Sequence, residues 1–75
     1  NRPAALFRSA LAMEELAKRS MLRQDAQSAV DRYGVFLKSY AGHVLADDAL
    51  FGIARIKAER FNDFSGAQEA LNTIQ

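Results

Sequence analysis

The chain has 75 residues, of which 49% are hydrophobic and 25% are charged, and its formal net charge is +1. This composition excludes an intrinsically disordered segment, and no apolar run is long enough for a membrane span, so the sequence predicts one small globular domain. The absence of cysteine excludes disulfides and thiolate metal sites and leaves the compartment open.

The first predicted helix begins near Pro3, the only proline. Proline is tolerated in a first helical turn, because the N–H that it lacks would have no partner there. From Leu6 to Leu22 the apolar residues recur at intervals of three and four and cover more than half of the helix circumference. A helix with so wide an apolar face is expected to contact neighbours on two sides.

The second predicted helix starts at Asp25, a residue type that caps helices, and continues to Tyr40. Its side chains form the clearest helical stripe of the chain: Ala26, Ala29, Val30, Tyr33, Phe36, Leu37 and Tyr40. The aromatic residues share this stripe, so they are predicted to lie in the core and not on a platform for stacked nucleotides. Gly34, on the polar side, costs about 1 kcal/mol relative to alanine unless a neighbouring backbone comes close.

The third predicted helix is separated from the second by Gly42, which is expected to close the second helix in the left-handed conformation. Asp47 and Asp48 fall in the first turn of the third helix, and Lys57 and Arg60 fall in its last turn. Both placements are favourable for the helix dipole.

A fourth helix is predicted after Asn62, with Asp63 as its cap and Phe64 as its first apolar residue. No segment shows the two-residue alternation of a strand. The sequence therefore predicts an all-α fold of four helices. The chain begins without methionine and its apolar pattern runs to the last residue, from which we expect a piece of a longer protein.

The two halves of the chain resemble each other. The pair Leu16-Ala17 corresponds to Ile53-Ala54 at an offset of 37 residues. At an offset of 38, three residues of the second helix, Asp25, Ala29 and Tyr33, correspond to Asp63, Ala67 and Leu71. We interpret residues 1–75 as one domain of two antiparallel helical hairpins, one over about residues 3–41 and one, truncated, over about residues 44–75. An ordinary helical bundle with accidental periodicity is the alternative.

This pattern resembles the tetratricopeptide (TPR) repeat, whose period is about 34 residues. Ala17 and Ala54 look like the small residue in the first helix of that family's repeat, and Ala29 and Ala67 look like the small residue in its second helix. Ala41 stands where the family usually has proline. The resemblance implies a fragment of an α-solenoid.

Two further segments, FLKSYAGH at residues 36–43 and ADDALF at residues 46–51, are similar to the lengthened repeats of bacterial envelope proteins. Examples of such proteins are the lipoprotein of outer-membrane β-barrel assembly and the Tol-Pal accessory protein. This resemblance implies a non-catalytic protein-binding scaffold in bacterial envelope assembly, with a periplasmic location.

The residues themselves predict no catalytic, cofactor or metal site. His43 is the only histidine, and one imidazole beside Asp47 and Asp48 falls short of the three protein ligands that zinc requires. The adjacent carboxylates Glu14 and Glu15 point apart on a helix, as the two aspartates do. We therefore predict that the protein is not an enzyme and uses no cofactor.

A partner-binding surface is predicted from the resemblance, because the first helix of each TPR unit lines a concave groove that takes an extended or helical peptide. Projection of the first and third helices predicts seven partner-binding residues on this groove: Leu11, Glu14, Lys18, Met21, Asp48, Phe51 and Arg55. Glu14 and Lys18 interrupt an otherwise apolar arc, which is typical of a wetted binding wall and equally of ordinary solvated surface.

Self-association is the alternative function. Two units are too few to cover the apolar faces of stacked repeats, so Phe64, Leu71 and Ile74 are predicted to stay partly uncovered unless another subunit covers them. The predicted partners are therefore a protein, a peptide or a second copy of the chain. Positive and negative charges are mixed along the sequence, which argues against nucleic acid, and no segment predicts direct membrane insertion.

Overall fold

The computed structural model describes residues 2–73, which form four α-helices and no strand. Helix α1 spans Arg2–Ser20, α2 spans Arg23–Tyr40, α3 spans Ala46–Arg60 and α4 spans Phe64–Thr73. The predicted all-α class is confirmed. None of these helices is both long and apolar enough to cross a lipid bilayer.

The helices form two hairpins, α1–α2 and α3–α4, and α3 is the helix of the second hairpin that packs against the first. Each helix packs on the next one along the chain, and α3 also contacts α1. Helix α3 therefore rests on both helices of the first hairpin. This arrangement accounts for the wide apolar face that the sequence shows on the third helix.

The core combines a few aromatic rings with many alanines. Tyr33 and Phe36 are fully buried, and the ring of Phe7 lies edge-on to both of them, at centroid distances of 5.9 and 5.7 Å. Most other buried hydrophobic residues are alanines: Ala10, Ala17, Ala26, Ala29, Ala46, Ala49, Ala54, Ala67 and Ala70. Alanine leaves room for close helix approach, but each one removes little apolar area from water. The two large rings therefore contribute much of the apolar burial.

The turn between α1 and α2 differs from the sequence prediction. Helix α2 begins at Arg23 with Leu22 in the N-cap position, so the prediction of Asp25 as the cap is wrong. The Ser20 hydroxyl accepts a hydrogen bond from the Leu22 N–H at 3.2 Å and donates one to the Asp25 carboxylate at 2.6 Å. Asp25 thus braces the turn from within the first turn of α2.

Both hairpin turns contain a residue with positive φ, Met21 at 60° and Asn62 at 51°. Asparagine is tolerated in this left-handed conformation, whereas a side chain such as methionine costs about 1–2 kcal/mol there. Met21 is 70% exposed, so its replacement loses little burial. We expect Met21→Gly to raise the free energy of unfolding by about 0.5–1 kcal/mol, after allowance for the greater freedom of glycine in the unfolded chain.

Urea denaturation followed by circular dichroism measures this difference. Asn62→Gly serves as the matched control and is expected to change stability by less than about 0.5 kcal/mol. A loss of stability in Met21→Gly would show that the Met21 side chain contributes more than its backbone conformation costs.

The connection between α2 and α3 also differs from its prediction. No described glycine has a positive φ, so the prediction of a left-handed Gly42 is wrong. The chain continues in right-handed turns, in which the His43 N–H donates to the Tyr40 carbonyl at 2.9 Å and the Ala46 N–H donates to the His43 carbonyl at 3.0 Å. The first of these bonds satisfies the carbonyl of Tyr40, the last residue of α2, without a left-handed residue.

His43 stabilises this connection. Its Nδ1 accepts a hydrogen bond from the Leu45 N–H at 3.1 Å, and its ring lies edge-on to Phe36 and Tyr40 at centroid distances of 5.8 and 6.4 Å. These contacts give the only histidine of the sequence a structural role.

Two further predictions about the helix ends are confirmed. Asp63 Oδ1 accepts a hydrogen bond from the Gly66 N–H at 2.9 Å, as a cap of α4 should. The described part of α3 also has its acidic residues in the first turn and its basic residues in the last turn, as predicted: Asp47, Asp48, Lys57 and Arg60.

The two hairpins correspond at a spacing longer than the one inferred from the sequence. The left-handed residues Met21 and Asn62 are 41 positions apart, and so are Arg23 and Phe64, the first residues of α2 and α4. The buried alanines follow the same spacing: Ala26 and Ala29 in α2, Ala67 and Ala70 in α4. The two hairpins therefore correspond at a spacing of 41 residues instead of 37 or 38. The difference between these spacings is about one helical turn.

Candidate functional site

A buried carboxylate lies in the middle of the molecule. Glu14 of α1 is only 3% exposed. Its Oε1 accepts hydrogen bonds from the Tyr33 hydroxyl at 2.6 Å and from Arg55 Nη2 at 2.8 Å, and its Oε2 accepts one from Arg55 Nε at 2.6 Å. We call these three residues the Glu14 cluster. They join α1, α2 and α3 at one point, and the bidentate contact with arginine fixes the relative position of α1 and α3.

Gly52 allows this cluster to form. A Cβ atom at Gly52 would lie 2.5 Å from Cζ of Tyr33, so the absence of a side chain lets the tyrosine ring lie against the backbone of α3. The ring then places its hydroxyl at the Glu14 carboxylate. Tyr33 and Gly52 were not predicted as site residues from the sequence, because their shared contact depends on how α3 sits on α2.

The electrostatics of the cluster favour the charged carboxylate. Burial alone raises the pKa of Glu14, but hydrogen bonds from Arg55 and Tyr33, together with the positive charge of Arg55, hold the pKa below its usual value of 4.5. Burial and the hydrogen bond to Glu14 raise the pKa of Tyr33, and the hydrogen bond to Glu14 raises the pKa of Arg55. The cluster therefore holds an ionised carboxylate, an ionised guanidinium and a neutral phenol at neutral pH.

This charge state makes the stability of the fold sensitive to acid. The pKa of Glu14 is lower in the folded than in the unfolded chain, so its contribution is fully present above the unfolded value of 4.5 and is lost as the pH falls through the lower folded value. We expect a variant with Glu14→Gln to lose less stability than the natural chain between about pH 5 and pH 2. Thermal denaturation across this range checks the prediction, and parallel curves would contradict it.

Six of the seven predicted partner-binding residues are exposed. Leu11, Met21 and Phe51 are 37%, 70% and 50% exposed, and Lys18, Asp48 and Arg55 also reach the surface. Glu14 does not line an open surface, because it is buried beneath Arg55. Its role in the structure is to hold α1 and α3 together.

The structure brings some of the predicted residues together and separates others. Glu14 and Lys18 border a small cavity between α1 and α3, with Ile56, Glu59 and Arg60 on its other side. Its volume of about 10 Å³ is enough for roughly one water molecule. Met21 lies in the turn between α1 and α2, and its sulfur accepts a hydrogen bond from Arg60 at 3.0 Å.

Phe51 and Arg55 border a different surface, a shallow groove between α3 and α4. We call it the α3–α4 groove. It is mostly apolar, and its lining residues are Phe51, Ala54, Arg55, Ala58, Ala67 and Leu71. The alanines and Leu71 were not predicted as site residues. The sequence does contain a signal for Leu71, because the fourth helix is predicted to stay partly uncovered and Leu71 is 38% exposed.

The described residues contain no group of three or more histidine, cysteine, aspartate or glutamate side chains that could hold a metal ion. Comparison of the chain with protein-family models, with curated proteins and with solved structures finds no match in any of the three.

Proposed function

We propose that this chain is a non-catalytic interaction module of the tetratricopeptide type, which binds a protein or peptide partner on the surface that α1 and α3 present side by side. The observation that carries the proposal is that large apolar side chains remain exposed along these two helices: Leu11 on α1, Met21 in the turn that follows α1, and Phe51 on α3, where it also borders the α3–α4 groove. Exposed apolar side chains beside charged ones are typical of surfaces that bind partners.

The Glu14 cluster supports this proposal by making the surface rigid. Because Arg55 contacts Glu14 through two hydrogen bonds, α1 and α3 keep a fixed relative position before any partner arrives. A preorganised surface loses less conformational entropy on binding than a mobile one. Lys18 and Asp48, exposed on the same two helices, would then select among partners by charge.

The proposed setting is bacterial envelope assembly in the periplasm. Its support is the similarity of residues 36–43 and 46–51 to the lengthened repeats of envelope proteins. The partner in this setting would be another envelope protein.

Selection of peptides displayed on phage against the intact chain would test the proposal. The selected ligand would be titrated by calorimetry into the natural chain and into three variants, Leu11→Ser, Lys18→Ala and Asp48→Ala. We expect at least one variant to bind about tenfold more weakly, which corresponds to about 1.4 kcal/mol. Arg55 is left unchanged because it belongs to the Glu14 cluster.

Val35→Ser is the matched control for these variants. Val35 is a large apolar residue of α2 that is 53% exposed, and it does not belong to the proposed surface. Equal affinities of all four variants and the natural chain would show that the selected ligand binds elsewhere and that the α1–α3 surface is not the site.

Self-association is a second candidate function, and the exposure of α4 favours it. Phe64 and Leu71 are 68% and 38% exposed, as predicted, and Ile74 lies outside the described residues. Sedimentation equilibrium would show a mass that increases with concentration, and Phe64→Ser would reduce that increase. A constant monomer mass up to about 200 μM, well above a typical specific affinity, would contradict self-association.

A further inference from the structure

The α3–α4 groove has a counterpart in the first hairpin that is already filled. Four of the groove residues, moved back by the 41 positions that relate the hairpins, give four residues of the first hairpin: Ala54, Arg55, Ala58 and Ala67 correspond to Met13, Glu14, Ala17 and Ala26. Glu14, Ala17 and Ala26 are buried, and Met13 packs against the same core.

Helix α3 is the element that fills this counterpart. Arg55 binds Glu14, Gly52 lies against Tyr33, and Ile56, only 3% exposed, belongs to the same core as Ala17 and Ala26. The occupant of the first surface is thus an amphipathic helix that presents a small residue, an aliphatic residue and one charge of opposite sign. The chain itself therefore shows what kind of element such a surface receives.

The charge at the α3–α4 groove has the opposite sign from the one at the filled surface. At the α3–α4 groove, Arg55 occupies the position that Glu14 occupies at the filled surface, and the side chain of Arg55 is 41% exposed. Its Nε and Nη2 atoms donate to Glu14, while Nη1 has no hydrogen-bond partner among residues 2–73. A planar guanidinium with a free edge is complementary to a carboxylate.

We propose that the α3–α4 groove binds an amphipathic α-helix of a partner protein, which lays an apolar face on Ala58, Ala67 and Leu71 and places an acidic residue at Arg55. The proposal rests on the proposed function of the chain as an interaction module, and it adds the form and the charge of the partner. It also assigns the exposed part of α4 to that partner.

A second copy of the chain does not supply this acidic residue if its α1 binds the groove in the way that α3 binds the first hairpin. The α1 residue that corresponds to Arg55 is Glu14, so α1 of a second copy would have to present Glu14 to the groove. Both oxygens of Glu14 already accept hydrogen bonds within their own chain. In this pose α1 of a second copy therefore offers no free carboxylate, and the proposal assigns the acidic residue to a partner protein.

Two synthetic peptides would test the proposal directly. Both have the sequence of α3, residues 46–60, and one of them carries Arg55→Glu, so that they differ only in the charge that would meet Arg55 of the protein. Fluorescence anisotropy would follow their binding to the intact chain. We expect the Glu peptide to bind at least about tenfold more tightly than the Arg peptide, and we expect this difference to shrink in high salt.

Variants of the protein locate the binding site. Leu71→Ser, in the groove, is expected to weaken binding of the Glu peptide about tenfold, whereas Val35→Ser, on α2, leaves it unchanged. Circular dichroism would confirm that both variants are folded. Ala58→Gln, which places a longer side chain at a partly buried position of the groove, is a second variant with the same expected loss.

Four results would overturn the proposal, and three of them come from the peptide measurements: equal affinities of the two peptides, no detectable binding of either, or binding that survives both groove substitutions. A concentration-dependent mass that Leu71→Ser abolishes would assign the groove to a second copy and would overturn the proposal as well. If the groove proposal fails, the proposed function still stands as long as substitution of Leu11 or Lys18 weakens binding of a phage-selected ligand. If those substitutions leave binding of the phage-selected ligand unchanged but the peptide results are as expected, the groove proposal still stands.

Discussion

Gly52→Ala is expected to lower the free energy of unfolding by about 2–3 kcal/mol, at the upper end for overpacked cores. The added Cβ would lie 2.5 Å from Cζ and 2.6 Å from Cε2 of Tyr33. The Tyr33 ring is fully buried, and its hydroxyl is bonded to Glu14. The ring therefore cannot move aside without breaking that hydrogen bond or shifting α3 away from α2.

Gly34→Ala is the matched control, because the two glycines lie in helix interiors with different surroundings. A Cβ at Gly34 meets no atom within 4 Å, so no neighbouring backbone requires glycine there. Alanine is the better helix former, and this variant is expected to gain about 0.5–1 kcal/mol. Urea denaturation measures both variants. A gain in stability in Gly52→Ala as well as in Gly34→Ala would show that Tyr33 does not restrict position 52.

Glu14→Gln is expected to lower the free energy of unfolding by about 2–3 kcal/mol. The replacement keeps the shape of the side chain but removes its charge, so Arg55 loses its ionic partner. The new amide N–H₂ group also faces hydrogen-bond donors, because the groups around this position are the Tyr33 hydroxyl and the Arg55 guanidinium. Breaking a buried ion pair typically costs about 3–5 kcal/mol, and the partial exposure of Arg55 reduces this cost because water can solvate its guanidinium.

Glu15→Gln provides the control for Glu14→Gln. Glu15 is the next residue of α1, and its pair with Lys18 is exposed, with a separation of 3.5 Å. Exposed pairs contribute little, so we expect a change below about 0.5 kcal/mol. Thermal and urea denaturation compare the two variants. Similar small losses in both would show that the Glu14 cluster does not stabilise the fold.

Tyr33→Phe completes this test by removing only the hydroxyl of the cluster. The loss of one hydrogen bond to a charged group is expected to cost about 1.5–3 kcal/mol, with Arg55 still in place. Because both residues belong to one network, the effects of Tyr33→Phe and Glu14→Gln should not add in the double variant. Simple additivity would mean that the two contacts stabilise the fold independently.

The Glu14 cluster has a further consequence for function. Glu14, which the sequence pattern placed on a binding wall, instead connects the two helices whose exposed residues form the proposed surface. Under the proposed function, variants of Glu14 or Arg55 are therefore expected to weaken partner binding by loosening the surface. Binding studies on this chain should therefore use Leu11, Lys18 and Asp48, which are exposed.

The periodic apolar pattern indicates a spacing between the two hairpins that is about one helical turn too short. Matching Ala17 with Ala54 gave a spacing of 37 residues, whereas the turns at Met21 and Asn62 are 41 residues apart. Helical faces recur every 3.6 residues, so an alanine-rich apolar pattern fits nearly as well one turn out of register. The positions of the turns distinguish the two spacings, and Met21 carries no sequence signal for a left-handed turn.

The sequence by itself determined the features that depend on neighbours along the chain. The four helices, the acidic start and basic end of α3 and the cap at Asp63 follow from spacing and from local hydrogen bonding, and they were predicted correctly. The tertiary structure alone decided which polar residue is buried and which groove stays open. Glu14 and Lys18 have the same pattern on α1, and only the packing of α3 brings Arg55 and Tyr33 to one of them. Such contacts join residues 19 and 41 positions apart, and no local preference specifies them.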